Sequence, residues 1–248
     1  MTVRIVIPCY NEAERLPVDV FRGFAAEHPE VRFVFVNDGS TDATAEVLEQ
    51  LRGVDPGVFE VVTLERNQGK AEAVRSGVLH AFRDDPEYVG YWDADLSTGL
   101  DQILVFRDAL AQDSALSGAL GSRVRLLGRH VERTVRRHYL GRIFATAAAL
   151  LLGMAVYDTQ CGAKLFRTTD EVRGLFSEPF LSKWIFDVEI LARLIACRRR
   201  GGGAPASDAL LEIPLPAWRD VGGSKIHTRH MVGAVGDLLR IWRRYRVG

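Results

Sequence analysis

The sequence predicts an α/β protein built on a mostly parallel sheet with crossover helices. Two observations carry this. Runs with strand character alternate with helical patterns four times within the first ~100 residues, as βαβ units do and hairpins do not. The run Val31-Arg-Phe-Val-Phe-Val36 is almost wholly apolar, as a strand covered on both faces must be.

Val3–Ile7 is the first strand, ending at Pro8. Val31–Val36 is the second, Phe59–Leu64 the third and Tyr88–Trp92 the fourth. Helical patterns open after Pro17 and cover Thr41–Leu51 and Lys70–Phe82. Beyond residue 100 the alternation weakens. Asp101–Gln112 reads as a helix, Ala119–Ser122 as a short strand, and Val131–Gly153 as one long helix, basic at first and then apolar. Ala163–Phe166 and Leu210–Leu215 are strand candidates, separated by a helix over Lys183–Ala196. Arg198–Ser207, with Gly201-Gly-Gly203, reads as a flexible loop, and Arg229–Tyr245 as a final helix. No repeat or linker interrupts the chain, so 1–248 is expected to be a single domain, with a strand-rich half (1–100) and a second half (101–248).

A chain of 248 residues, 47% hydrophobic and 26% charged, can bury a sizeable core. That composition excludes a disordered tail, a collagen-like repeat and a disulfide scaffold. Cys9, Cys161 and Cys197 form no CxxC pair and suit a reducing compartment. A strand pattern starts at once and no run of about 18 apolar residues exists. The expectation is therefore a cytoplasmic protein without a signal peptide or membrane span. Net charge is zero, but residues 1–120 carry 10 Lys+Arg against 21 Asp+Glu, net −11, and residues 121–248 carry 22 against 11, net +11. Packing of one half on the other, phosphate binding or an anionic membrane would each account for that asymmetry.

Each early strand ends in polar or special residues: Pro8-Cys-Tyr10-Asn11-Glu12, Asn37-Asp38-Gly39-Ser-Thr-Asp42, Arg66-Asn67-Gln-Gly-Lys70 and Asp93-Ala94-Asp95-Leu-Ser97. One such turn is ordinary capping chemistry. Four at one sheet edge point to a ligand site, because open α/β sheets bind ligands beyond the carboxyl ends of their strands. Asp93 and Asp95, two apart, can both meet one hard divalent cation, Mg²⁺ or Mn²⁺, which keeps open positions for substrate phosphates. Asp38 suits hydrogen bonds to a nucleobase or ribose. Lys70, at a helix start after Gly69, suits phosphate. Tyr10 is either a stacking platform or core.

Taken in order, P-x-Y-N-E, N-D-G-S-T-D, N-x-G-K and D-A-D resemble the family 2 glycosyltransferases, whose fold is the Rossmann-like GT-A fold. Gly121-Ser-Arg123, Asp158-Thr-Gln-Cys-Gly-Ala-Lys164, Trp184-Ile-Phe-Asp187-Val-Glu189 and Trp218-Arg-Asp-Val-Gly-Gly-Ser-Lys225 extend the likeness. They resemble the polyprenyl-phosphate branch, most of all the dolichyl-phosphate β-glucosyltransferases. The resemblance covers roughly 3–225. It implies that Pro8, Tyr10, Glu12, Asp38, Lys70, Asp93 and Asp95 form the sugar-nucleotide site, with Asn11, Gly39, Asn67 and Ala94 in the same segments. It also implies an acceptor-binding second half in which Arg123, Arg133 and Arg137 hold an acceptor phosphate. The chain departs from that branch at Ala71, where many relatives have Gly, at Ala163, where many have Phe, and in showing no membrane anchor.

Residues 121–142 carry seven Arg and one Glu. Arginine offers bidentate donors to phosphate, and Arg133 and Arg137, four apart, share a helix face. A solvated basic face is the alternative. No aromatic platform accompanies these arginines, so nucleic acid is not expected as a partner. The reaction implied is inverting glycosyl transfer, the metal on Asp95 and Asp93 neutralising the departing diphosphate, and Lys225 closing over it. UDP-glucose is the expected donor, GDP-mannose the next. A phosphate acceptor is already anionic at neutral pH, with a second pKa of about 6, and needs little help from a base. Asp158 is the candidate base or orienting carboxylate, with Asp187 and Glu189 as rivals. A soluble acceptor such as a natural product or carbohydrate is the alternative, and a non-catalytic nucleotide-sugar-binding module the alternative of another class. Arg240-Ile-Trp-Arg-Arg-Tyr-Arg246 suits peripheral contact with the inner face of an anionic membrane, or an ordinary C-terminal helix.

Overall fold

In the computed structural model, the described residues are 1–124, 127, 130–132, 135–219 and 228–247, with side chains left out at 130–132, 135–140, 219 and 228–232. Nine strands run in chain order among them: β1 (Val3–Cys9), β2 (Val31–Asp38), β3 (Phe59–Leu64), β4 (Tyr88–Tyr91), β5 (Gly118–Ser122), β6 (His130–Glu132), β7 (Lys164–Arg167), β8 (Leu210–Pro214) and β9 (Ala217–Arg219). The helices are α1 (Val18–Glu27), α2 (Thr44–Val54), α3 (Lys70–Ala81), α4 (Asp101–Gln112), α5 (Val135–Leu152), α6 (Asp170–Ser177), α7 (Phe186–Gly201) and α8 (Thr228–Tyr245). Seven strands form one sheet in the order β3-β2-β1-β4-β7-β5-β8, and β6 pairs with β9 in a second. The run β3-β2-β1-β4 is parallel, as is β5 with β8. Only β7 runs antiparallel to its neighbours β4 and β5 in this sheet. The α/β, mostly parallel sheet with crossover helices expected from the sequence is the architecture observed.

The apolar character of β2 follows from its place. Phe33 and Phe35 face one core with Phe21, Phe59, Trp92 and Phe106. Val34 and Val36 face the other with Val6, Val74, Tyr91, Phe166 and Phe186. Burying both faces removes apolar area from water at about 25 cal/mol per Å², which is why the run Phe33–Val36 is apolar throughout. On the second face α3 lies so close to the sheet that Gly77 has no room for a side chain. A Cβ there would collide with Val6 and come within 2.7 Å of Val36 Cγ2.

Three segments differ from the sequence reading. The long helix expected over Val131–Gly153 is broken: residues 130–132 pair with β9, and α5 begins at Val135. The loop expected over Arg198–Ser207 is helical through Gly201. There Arg198 grips Glu171 through Nε and NH2, both at 2.9 Å, and only Gly202, at φ +65°, ends the helix. Helix α6 was not expected; Thr169 caps it by accepting from the Val172 amide at 3.2 Å. Among the described residues, Arg173–Asp85 is an ion pair joining the oppositely charged halves, and Arg123 and Lys164 of the second half lower the pKa of Asp93 in the first.

Gly77→Ala tests the close contact. Helix propensity alone would favour alanine by about 1 kcal/mol, while overpacking costs about 1–3 kcal/mol. The expected outcome is a net loss of stability in urea denaturation; a gain would show that α3 can shift outward freely.

Candidate active site

The segments that follow β1, β2 and β4, and the loop after β3, meet at the carboxyl edge of the parallel strands. They are joined by hydrogen bonds rather than lying loose. Asn11, at φ +52°, accepts from the Thr41 amide at 2.9 Å, and its own amide donates to Ser40 Oγ at 3.1 Å. The Glu12 amide donates to Thr44 Oγ1 at 2.8 Å and the Ala13 amide to Asp42 Oδ2 at 3.2 Å. Asp42 also accepts from the Thr44 amide and hydroxyl. Burial raises its pKa, but these hydrogen bonds outweigh it and hold the carboxyl below the usual range. Pro8 sits within β1 opposite Val36. Tyr10 is half-buried beside it.

Asp38 is buried and receives the Gln68 amide at 2.7 Å and the Gly69 amide at 2.9 Å. Burial raises its pKa, and the two amides only partly offset that. It therefore pins the loop after β3, a role not anticipated for it. Gly39, at φ +61°, makes the approach possible, since a Cβ there would strike Arg66 and lie 2.5 Å from the Asn67 nitrogen. That loop forms a cleft of about 430 Å³ with Arg66, Asn67, Glu72, Phe180 and Lys183, a size suited to a small ligand.

At the end of β4, Asp93 and Lys70 form an ion pair. Burial works against both charges. The carboxylates of Asp93, Asp187 and Asp95 more than restore the Lys70 ammonium and raise its pKa. Lys70, Arg123 and Lys164 hold the Asp93 carboxyl below its usual range. Gly162 walls this pair: any Cβ on it would collide with the Asp93 carboxylate. Ala94 is buried behind. Asp95 accepts from the Ser97 amide at 3.0 Å and hydroxyl at 2.8 Å through Oδ1. Its Oδ2 lies 4.0 Å from Arg15, which is bound to Glu12 at 2.9 Å.

Asp158 and Arg123 are bound to each other. Arg123 Nε and NH2 donate to the two Asp158 oxygens at 2.6 and 2.8 Å, and the Arg123 amide adds a third bond at 3.1 Å. Asp158 is thus the counter-ion of Arg123 in this structure, which engages the Arg123 fork through both carboxylate oxygens. Asp187 and Glu189 are structural as well. Asp187 Oδ1 accepts from Lys164 at 2.5 Å and Tyr91 at 2.6 Å. Glu189 accepts from Arg193, Tyr245 and the Leu181 amide. Cys161 is buried, its thiol pushed up to about 11 by desolvation, which leaves it inert. Arg133, Lys225 and the side chain of Arg137 lie outside the described residues.

Sequence reasoning missed Lys164, Gly162, Lys183, Arg15 and Ser97. One signal was available: a lysine opening the apolar run Lys164-Leu-Phe needs a buried partner.

The pattern of the glycosyl transferase family 2 matches residues 4–170. The chain belongs to that family. It is 31% identical to a dolichyl-phosphate beta-glucosyltransferase of Trichomonas vaginalis over 98% of this chain and 71% of the relative. It is also 31% identical to the Drosophila melanogaster dolichyl-phosphate beta-glucosyltransferase, over 100% of this chain and 76% of the relative. Among solved structures it is similar to glucosyl-3-phosphoglycerate synthase of Mycobacterium tuberculosis bound to uridine diphosphate, at TM-score 0.67 and 18% identity, covering 100% of this chain and 81% of the other. It is similar also to a Pyrobaculum calidifontis mannosyltransferase bound to GDP-mannose and Mn²⁺, at TM-score 0.63 and 17% identity, covering 99% and 64%. These two likenesses establish the GT-A fold. As a family 2 member the chain is a glycosyltransferase.

Gly162→Ala is expected to leave the fold intact by circular dichroism yet lower glycosyl transfer more than tenfold, because Asp93 must move. Asp93 also sets a pH dependence. Its folded-state pKa lies below the unfolded value of about 3.9, so its contribution to stability is present above that pH and lost as pH falls through the folded value. Urea unfolding between about pH 3 and 7 is expected to show a shallower acid loss for Asp93→Asn than for the parent.

Proposed function

We propose that this glycosyltransferase moves a glucosyl residue from UDP-glucose to a polyprenyl phosphate of the dolichyl type, with inversion. The observation that carries the acceptor is the likeness to dolichyl-phosphate glucosyltransferases, 31% identity over 98% of this chain and 71% of the relative. The site geometry supports the donor. The cleft beside Asp38 suits the nucleoside, with Arg66 and Lys183 at its wall, and Lys70 and Asp95 stand where strand ends present charge to a diphosphate.

The residues fit a divalent cation. Asp95 offers a hard carboxylate with one oxygen fixed by Ser97 and the other beyond hydrogen-bond reach of Arg15. Among the described residues no group of three or more His, Cys, Asp or Glu gathers as a complete metal cage. That suits Mg²⁺ or Mn²⁺, which binds through one or two carboxylates together with substrate phosphates. When bound, such a cation neutralises charge on the departing nucleoside diphosphate. Asp95 would hold it, with Asp93 near. The chain's own groups do the rest. Lys70 keeps Asp93 ionised and supplies a cation at the helix start. Asp38 fixes the wall of the nucleoside cleft. Arg123 and Asp158 hold the segment before Gly162 in place. The acceptor phosphate is an anion at neutral pH, so no side chain must take its proton.

The test is incubation with Mg²⁺ or Mn²⁺, UDP-glucose or GDP-mannose, and a short polyprenyl phosphate, with the lipid product followed by mass. Hexosyl-polyprenyl phosphate from UDP-glucose is expected. Transfer only to soluble acceptors would overturn the acceptor reading. Asp95→Ala is expected to remain folded and to lose transfer by at least about a hundredfold, in the range of losing a charge-stabilising group in an active site. Near-parent turnover in chelated buffer would remove the metal from the mechanism.

A further inference from the structure

The cleft beside Asp38 is built from both halves of the chain. Arg66, Asn67, Gln68 and Glu72 come from the loop after β3 and the start of α3, while Phe180 and Lys183 come from the segment before α7. The Lys183 stem lies across Gly69, where a Cβ would be 3.3 Å from both the Cβ and the Cδ of Lys183. Its ammonium draws the Asp38 carboxyl downward, against the larger effect of burial. The side chain is exposed, and among the described residues no hydrogen bond or ion pair engages that ammonium. The carboxylates of the cleft are already engaged. Glu72 takes two bonds from Arg75, both at 2.8 Å, and one from Ser76 at 3.1 Å. Asp38 takes the Gln68 and Gly69 amides. The cleft therefore offers a ligand cations at Arg66 and Lys183 and side-chain amides at Asn67 and Gln68. Lys183 also has a fixed root. Ser182 beside it is buried. The Ser182 hydroxyl accepts from the Trp184 and Ile185 amides at 3.2 and 3.1 Å and donates to Asp237 of α8 at 2.7 Å. On the other side the Leu181 amide donates to Glu189 at 2.7 Å.

We propose that Lys183 selects a uracil base over guanine in the donor by hydrogen-bonding a ring carbonyl, and that Ser182 and Asp237 are the positioning residues that aim it. The inference rests on the reading of this cleft as the nucleoside site and deepens it. The inventory of groups decides the base. An ammonium has donors and no acceptor. Uracil presents two carbonyl oxygens and one N–H, which an amide oxygen of Asn67 or Gln68 can take. Guanine sets an N–H and an amino group beside its one carbonyl. Those donors would need a carboxylate, and the carboxylates here are occupied, so they would be buried without partners. A site built to hydrogen-bond one ligand discriminates strongly against an analogue that cannot complete its bonds. Aim matters because lysine is long and flexible. With Leu181 and Ser182 both tied to helices, less of the Lys183 side chain is left to order when the base arrives.

The test is calorimetric titration of the full chain with UDP and with GDP, each with Mg²⁺ and without acceptor. The parent is expected to bind UDP at least about tenfold more tightly than GDP. Lys183→Met keeps the stem over Gly69 and removes the charge. It is expected to weaken UDP about tenfold and GDP less than about twofold, with an unchanged melting curve because the side chain is exposed. Asp237→Ala is expected to weaken UDP about threefold at a temperature where it is folded, and Asp237→Asn, which keeps an oxygen for the Ser182 hydroxyl, to restore binding to within about twofold of the parent. Unchanged UDP affinity in Lys183→Met would overturn the proposal. Equal loss of UDP and GDP would overturn it too, since it would place the ammonium on the phosphates common to both. Asp237→Ala that binds UDP as the parent does, or Asp237→Asn that fails to rescue, would remove the positioning role. The transferase reading fails separately. A parent that binds neither nucleotide would overturn the donor and this inference together. Selective UDP binding that Lys183→Met abolishes, with no lipid product from UDP-glucose, would overturn the acceptor alone and uphold the role of Lys183.

Discussion

The Lys164 ammonium is the tie on which the site depends. It is fully buried, and a buried charge costs several kcal/mol unless it is paired and hydrogen-bonded. Here it is both. Its Nζ donates to Asp187 at the start of α7 and to the Cys161 carbonyl in the loop before β7, and it lies over the ring of Tyr91 at the end of β4. Tyr91 donates to the same Asp187 oxygen. One cation thus fixes a strand from the first half, a strand from the second, a helix and a loop. Removing either member would leave the other buried without its counter-ion. The loop it fixes carries Gly162, and Gly162 defines the space Asp93 occupies.

Outward from that tie, charge and geometry alternate. Asp93 lies among Lys70, Arg123 and Lys164, which hold its carboxyl below its usual range against desolvation. Arg123 is held by both oxygens of Asp158, whose amide, with that of Tyr157, donates to Glu212 on β8 at 2.9 and 2.7 Å. Asp38 fixes the loop that carries Lys70. Side chains that looked chemical in the sequence thus hold other side chains in register, and Lys70 and Asp95 remain at the surface of the assembly to meet a ligand. This is preorganisation: groups aimed before substrate arrives need no rearrangement when charge develops.

The basic second half has more than one use for its arginines. Arg193 is buried and ties α7 to the carbonyls of Leu175, Glu178 and Pro179. Arg198 lengthens α7 by gripping Glu171. The exposed arginines of α8 have no such partners in the core. They lie on a helix that also exposes Leu239 and Trp242.

Pattern determined the fold class. Strands buried on both faces read as apolar runs, Phe59–Leu64 and Asp101–Gln112 fall where the sequence places them, and the four polar strand ends were legible because a parallel sheet brings carboxyl ends to one edge. What failed were elements whose existence depends on distant partners. Residues 130–132 pair with β9, which lies far away in sequence, and Arg198 near the end of α7 is bound to the distant Glu171. Counter-ions are hidden for the same reason. Asp158, Asp187 and Glu189 are carboxylates in suggestive motifs, yet each faces a cation or amide that sequence distance conceals, while Lys164 looked like one polar residue on an apolar strand. A side chain's type sets what chemistry it can do; the tertiary structure decides whether a counter-ion already occupies it, because ion pairs form across space and leave no periodicity in the chain.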